Sequence, residues 1–155
     1  MKKIIIILAC FLSETCFAQE GGLQKIAFGT VFASSGSMKL SDKVYPFDLG
    51  YNLSPNVIFI TGKTFHNFLY GFGNNAIRTV NGYFPKKNID IYVVFQKSTT
   101  SKGGYTSLGI EKMIKAGDVN FFIFTEVGRT FNPYLNTITI GMHANIQTPI
   151  WKRKI

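Results

Sequence analysis

The chain has 155 residues, carries 17 Lys and Arg against 8 Asp and Glu for a formal net charge of +9, and is 15% aromatic. This length is enough for one domain. The positive residues are scattered over predicted turns and the C-terminal tail, without a recognition motif, which argues against nucleic-acid binding. They fit solvated loops or, as the sharper alternative, contact with anionic lipid head groups.

Residues 1–18 are predicted to be a secretory signal peptide. Met1-Lys2-Lys3 is basic, Ile4 to Leu12 is apolar, and Cys16-Phe17-Ala18 forms a small-residue cleavage site. The apolar run is too short for a transmembrane helix. The alternative is a lipoprotein leader that is lipidated at Cys10. With cleavage after Ala18, the mature chain of residues 19–155 has no cysteine and therefore no thiol chemistry.

Eight strands are predicted in the mature chain, because apolar and polar residues alternate with a period of two. The clearest example is Thr137 to Gln147, in which every even position is apolar or Ala and every odd position is small or polar. No segment has a convincing helical period. The predicted strands are Leu23–Ser34, Lys43–Leu53, Asn56–Phe68, Ala76–Phe84, Asn88–Lys97, Tyr105–Lys115, Asn120–Arg129 and Leu135–Thr148.

The connections between these strands alternate in length. Short turns are predicted at Ser54-Pro55-Asn56, Pro85-Lys86-Lys87 and Ala116-Gly117-Asp118, and longer links at residues 35–42, 69–75, 98–104 and 130–134. Both termini then lie at the short-turn end, which is the topology of bacterial outer-membrane barrels. Because no second apolar stretch is long enough for a spanning helix, a membrane form of this chain must be a closed barrel.

Aromatic residues are predicted at both rims of such a barrel, where a membrane protein meets the two interfaces. The short-turn rim would hold Tyr51, Tyr83, Phe84, Phe121 and Trp151. The long-loop rim would hold Phe32, Tyr45, Phe65, Phe95, Tyr105, Phe131 and Tyr134.

The chain resembles the small eight-stranded outer-membrane β-barrels. The resemblance rests on the signal peptide, the segment Gly50 to Asn56, the segment Phe121 to Gly128 and the final amphipathic strand, and it covers the mature chain. It is to the OmpA-like transmembrane-barrel class, especially the short barrel proteins of Bacteroidetes-type bacteria. It implies an all-β, eight-stranded antiparallel up-and-down transmembrane barrel in the cell outer membrane. Outer-membrane lipid and the barrel-assembly machinery are the implied partners.

The phase of the strands predicts a polar network in the barrel lumen. Its expected members are Asp48, Lys63, Arg78, Asp90, Glu111, Glu126, His143 and Asn145. The interior of an eight-stranded barrel is just wide enough for side chains to fill, and charges there must pair. A structural network that plugs the barrel is therefore expected, with a polar path or a small-ligand site as the alternative.

An enzyme is not expected, although some small outer-membrane barrels modify lipid A with a Ser/His/acid arrangement. Ser107, His143 and Glu126 would be the corresponding residues, but Ser107 lies in no recognisable nucleophile motif. No cofactor is expected either. Two distant histidines make no metal signature, and Gly71-Phe72-Gly73 lacks the Lys and the helix of a phosphate-binding loop.

A surface-contact loop is predicted at Leu69 to Asn75, with Tyr70, Phe72, Asn74 and Asn75 as contact residues for a partner. Aromatic side chains flanked by glycine suit recognition, and the alternative is that they lie in the lipid interface. The competing reading of the whole chain is a soluble, lipocalin-like barrel that binds a small apolar ligand. The alternation in its strand puts Lys112 on the same face as the apolar residues. A charge there favours the soluble barrel, unless the lysine side chain extends to a rim.

Overall fold

The computed structural model describes residues 23–40, 47–116 and 119–152. The predicted signal peptide, the lipidation alternative at Cys10 and the predicted rim residue Tyr45 lie outside these residues. The strands are β1 (Leu23–Leu40), β2 (Phe47–Thr61), β3 (Thr64–Gly71), β4 (Ala76–Lys86), β5 (Ile89–Ser98), β6 (Gly104–Ala116), β7 (Val119–Phe131) and β8 (Leu135–Lys152). Each pairs antiparallel with the next, and β8 pairs with β1. The predicted all-β, eight-stranded up-and-down closed barrel is thereby confirmed.

The two ends of the barrel differ in their connections. At one end, the two-residue turns Gly62-Lys63 and Lys87-Asn88 and the link at residues 117–118 join the strands, and β1 begins and β8 ends there. We call this the short-turn end. The opposite end, which we call the loop end, carries the connections 41–46, 72–75, 99–103 and 132–134. The predicted placement of both strand termini at the short-turn end is correct.

The predicted turn at Ser54-Pro55-Asn56 is wrong, because β2 runs straight through it. Ser54 and Asn56 are buried, Pro55 is exposed, and the actual turn is Gly62-Lys63, where Gly62 has a φ of 56°. The β2–β3 ladder starts only at Asn56, which pairs with Leu69. Pro55 therefore lies just beyond the end of that ladder, a position at which a missing N–H is tolerated.

The strand register makes the barrel wide for its strand number. The shear number of a barrel is the offset, in residues, after following the strand pairing once around it. From Ala27 the pairing leads back to β1 at Lys39, which is 12 residues further along, so the shear number is 12. The intermediate positions are Ile58, Asn67, Val80, Val94, Ser107, Gly128 and Thr137. With eight strands this shear gives a backbone radius of about 9 Å, against about 7.5 Å for a shear of 8. The register therefore leaves room in the lumen beyond a minimal side-chain core.

Candidate functional site

The outer face of the barrel is predominantly apolar. In β8, Ile140, Met142 and Ile146 are 55–59% exposed, while the alternating Thr139 is buried. The other strands repeat this pattern except β3, which has no exposed side chain. Their exposed outward side chains include Phe28, Phe32, Leu53, Ile77, Ile91, Phe95, Leu108, Ile110, Phe121, Ile123 and Val127. An apolar band therefore surrounds the barrel.

The predicted aromatic rims are correct only in part. Tyr83, Phe121 and Trp151 are exposed near the short-turn end, and Phe95, Phe131 and Tyr134 are exposed toward the loop end. Tyr51 lies in the loop-end half of β2, opposite to the prediction, because β2 continues through Pro55. Phe32 is exposed near the middle of β1, away from either rim. Three more predicted rim residues point into the lumen: Phe65, Phe84 and Tyr105.

Polar residues interrupt the outer band near its short-turn side. Lys112 is exposed and pairs with Ile89, close to the β4–β5 turn, so its ammonium group can reach the rim. His66 of β3 faces Asn81 of β4, and the imidazole Nδ1 lies 2.9 Å from the amide Oδ1. This pairing gives both side chains a hydrogen-bond partner on the outer wall.

Glu126 is the centre of the polar network inside the barrel. Its side chain is only 1% exposed and forms an ion pair with Arg78. Tyr92 donates a hydrogen bond to Oε1 at 3.1 Å, while Tyr105 and Ser107 donate to Oε2 at 3.1 and 3.0 Å. Three strands, β4, β5 and β6, thus supply four donors to one carboxylate of β7. The arrangement satisfies the buried charge and ties the wall together across the lumen.

A second polar group lies nearer the short-turn end. His143 Nε2 is 2.9 Å from Glu111 Oε2, and the imidazole stacks on Phe122 with ring centroids 4.6 Å apart. Asp90 is buried directly across from Glu111 in the β5–β6 pairing. His143 Nδ1 and Asn145 Oδ1 are buried without a hydrogen-bond partner among the described atoms. These residues form a polar group separate from the one around Glu126.

The structure places some of the predicted network residues together in the lumen and others elsewhere. It brings Arg78 to Glu126 and His143 to Glu111, and it puts Asp90 and Asn145 at the lumen wall. The prediction put Lys63 in the lumen, but this residue lies in the exposed turn between β2 and β3. The side chain of Asp48 lies outside the described part of the chain. Sequence reasoning missed Tyr92 and Tyr105, whose hydroxyl groups complete the shell of Glu126.

The enzyme alternative can be compared with these contacts. Ser107 donates its hydrogen bond to Glu126, whereas His143 is paired with Glu111. A catalytic triad needs a base beside the nucleophile and an acid beside the base. The three residues named for that chemistry are thus divided between the two polar groups. No group of three His, Asp or Glu among the described residues is arranged to hold a metal ion.

The predicted contact loop is shorter than expected. Tyr70 lies within β3, and the connection itself comprises residues 72–75. Phe72 is 58% exposed and packs edge-on against Tyr70, with ring centroids 5.3 Å apart. Asn52 accepts a hydrogen bond from the Gly73 N–H, and Asn75 accepts two from Thr99. The turn is thus fastened to β2 and to the next connection, with Phe72 projecting.

Large rings inside the barrel lie flat against its wall, over glycine residues. A Cβ added at Gly82 would come within 2.3 Å of the Phe65 ring, and one added at Gly109 within 2.4 Å of the Tyr92 ring. A Cβ added at Gly128 would come within 2.7 Å of the Tyr105 ring, and one added at Gly141 within 2.6 Å of the Phe124 ring, although a backbone carbonyl oxygen lies closer at both positions. Glycine on the neighbouring strand thus makes space for each ring at the wall.

A cavity of about 480 Å³ remains in the lumen. Its lining combines the hydroxyl and amide groups of β1, β2 and β8 with the aromatic side chains of β3, β5 and β7. This volume falls within the range of small-molecule sites in proteins. The lumen is therefore not completely plugged by the polar network.

Among the described residues there is no helix long and apolar enough to cross a membrane. A comparison with models of known protein families gives no match, and a comparison with curated protein sequences gives none either.

Proposed function

We propose that this chain is an integral outer-membrane β-barrel, which spans the bilayer with its eight strands and presents its loop end to the cell exterior. The observation that carries the proposal is the apolar outer band around a closed barrel whose lumen contains buried charged and polar groups beside a hydrophobic cluster. A bilayer favours this pattern, because a closed wall pairs backbone polar groups between neighbouring strands and its apolar side chains can face lipid. The signal peptide predicted at residues 1–18 agrees with export.

The soluble, lipocalin-like alternative would expose the same band to water. About twenty large apolar side chains, each roughly half exposed, present on the order of 2,000 Å². Soluble monomers rarely expose an apolar patch above about 600 Å². The cavity is compatible with both alternatives, so the apolar outer surface is the observation on which we propose the membrane location.

Lysine residues near the short-turn end fit contact with the head groups of anionic phospholipids. The exposed set consists of Lys63, Lys86, Lys87, Lys112, Lys115 and Lys152. Each such residue near a negatively charged membrane surface contributes about 1 kcal/mol of attraction. The short-turn end would accordingly face the periplasm, with its lysines at the inner leaflet.

The role we propose is structural or surface contact rather than catalysis. At the loop end, the projecting Phe72 beside Tyr70 is the best candidate for contact with a neighbouring protein, a host surface or lipid. Exposed aromatic side chains on a fastened turn lose little conformational entropy on binding.

Fractionation of the expressed protein tests the location directly. We expect the protein in the outer-membrane fraction after a carbonate wash, with a shift in gel mobility when the sample is boiled. Recovery in the periplasm or the medium would overturn the proposal and would direct attention to a ligand inside a soluble barrel.

Lysine scanning of β8 gives a second test at the level of single residues. A Met142→Lys variant is expected to lose about 2–4 kcal/mol of stability, because Met142 lies at the middle of the outward stripe, whereas Thr148→Lys near its end loses at most about 1 kcal/mol. Both side chains face outward and are exposed. Urea titration of the barrel refolded in lipid vesicles measures the two values. Equal tolerance of both lysines would contradict a lipid-facing surface.

A further inference from the structure

Asp90 places a carboxyl group in the lumen wall that the described part of the chain does not neutralise. The residue is 6% exposed, lies on the inward face of β5 and lines the lumen cavity. No Lys, Arg or His among the described residues forms an ion pair with it. A buried carboxylate without a counter-ion is costly, so a positively charged partner would stabilise it.

A second acid lies beside Asp90. Glu111 is directly opposite in the β5–β6 ladder and also lines the cavity, so the two Cβ atoms are about 5 Å apart. His143 Nε2 is 2.9 Å from Glu111 Oε2. Two carboxylates and one imidazole leave a negative charge uncompensated even when the imidazole is protonated. Arg78 does not offset this charge, because it is paired with Glu126.

Two lysines also line the cavity, and both lie at the short-turn end. Lys25 donates a hydrogen bond from its Nζ to Gln147 Oε1 at 3.1 Å. Lys87 lies in the exposed turn between β4 and β5. The ion pairs of the described residues include neither lysine. The charge of the two acids is therefore not balanced from within the described lumen.

The surroundings of the two acids are largely apolar and aromatic. Phe84 of β4 lies beside Asp90, because Tyr83 pairs with Ile91 and these are the next positions along the two strands. The Phe84 ring packs against Phe65 with centroids 4.9 Å apart. Further large side chains that line the same cavity are Tyr92, Met113, Phe122 and Phe124. The faces of aromatic rings attract organic cations.

From this arrangement we infer that the lumen binds a small organic ammonium ion, whose charge pairs with Asp90 and Glu111 and whose apolar body packs against the rings. A protonated amine supplies the counter-charge and the hydrogen-bond donors that Asp90 lacks. The cavity of about 480 Å³ has room for its hydrocarbon part. A hard metal ion would need about six oxygen ligands, whereas the side chains beside these carboxylates are mostly rings. The inference goes beyond the proposed function, because the site depends on the closed barrel and not on its location.

Calorimetric titration with phenethylamine tests the site. This primary amine is protonated near neutral pH and carries one aromatic ring. The barrel, refolded in micelles of a non-ionic detergent and checked for the gel shift on boiling, should show saturable binding. The matched control ligand is 2-phenylethanol, which replaces the ammonium group by a hydroxyl group. It should bind at least about tenfold more weakly.

An Asp90→Asn variant removes the charge and keeps the shape of the side chain. It should bind phenethylamine at least about tenfold more weakly than the wild type. Without the amine its urea midpoint should be higher than that of the wild type, because the repulsion between the two acids is gone. Glu111→Gln keeps a partner for His143 and should also weaken binding of the amine. Saturating phenethylamine should raise the urea midpoint of the wild type and have little effect on Asp90→Asn.

The outcomes separate this inference from the proposed function. Equal affinity for phenethylamine in the wild type, Asp90→Asn and Glu111→Gln overturns the site, and so does equal affinity for the amine and the alcohol. Folded wild type that does not bind the amine also overturns it, and leaves a proton shared between the two acids as the counter-charge. These results do not bear on the membrane location, which fractionation tests by itself. A soluble barrel that binds the amine would overturn the location and support the site.

Discussion

A Glu126→Ala variant is expected to lose about 3–5 kcal/mol of folding stability. The carboxylate is 1% exposed and pairs with Arg78, so its removal leaves a guanidinium group in the lumen without its counter-ion. The hydroxyl groups of Tyr92, Tyr105 and Ser107 lose their acceptor at the same time. Each unsatisfied buried group adds to the cost.

Urea titration in lipid vesicles, followed by the gel shift, measures this loss. Glu126→Gln keeps the shape and one acceptor oxygen, so it should lie between the wild type and the alanine variant. Glu111→Ala is the comparison within the same lumen, because Glu111 forms a hydrogen bond with His143 and has a less buried side chain than Glu126. If Glu126→Ala is no less stable than Glu111→Ala, Glu126 is not the centre of the network.

The sequence predicts the number of strands and their inward and outward faces well, because alternation is a local property. Thr139 and His143 point inward and Ile140 and Met142 outward, as their phase in β8 indicates. The error in β2 is also local in origin. Ser54-Pro55-Asn56 has the composition of a turn, and only the end of the β2–β3 ladder makes Pro55 acceptable within a strand.

The partners inside the lumen could not be predicted from sequence. Arg78 of β4 reaches Glu126 of β7 across the barrel, which depends on the tilt and stagger of all the strands between them. That stagger, the shear of 12 residues traced from Ala27 to Lys39, is a sum over eight registers. An error of two residues in the register of any one strand pair would leave every side chain on its correct face of the wall. It would still change which charged side chains are in contact.

The inward glycines carry a signal that the alternation alone does not reveal. Gly82, Gly109, Gly128 and Gly141 fall on the inward phase of β4, β6, β7 and β8, where a side chain would otherwise fill the lumen. An inward glycine can lie beside a strand that carries an inward aromatic residue. This combination in a sequence thus indicates that the aromatic ring lies on the barrel wall. We propose that the lumen cavity exists because these pairs keep the rings out of the centre of the barrel.

A Gly109→Ala variant is therefore expected to lose about 1–3 kcal/mol of folding stability. The new Cβ would lie 2.4 Å from the Tyr92 ring and 2.7 Å from its hydroxyl oxygen. The ring cannot simply move away, because its hydroxyl group is held by Glu126 at 3.1 Å. Either the ring is pushed into the cavity and the hydrogen bond breaks, or β5 and β6 separate locally.

The control is Gly50→Ala in β2, where the nearest atom to an added Cβ is Ser35 Oγ at 3.8 Å. We expect its urea midpoint to match that of the wild type within error. A Tyr92→Ala background supplies the causal test, since without the ring Gly109→Ala should have little further effect, and the two changes should not be additive. An equal loss from Gly109→Ala with and without Tyr92 would show that glycine is needed there for the backbone rather than for the ring, and the proposed origin of the lumen cavity would then be wrong.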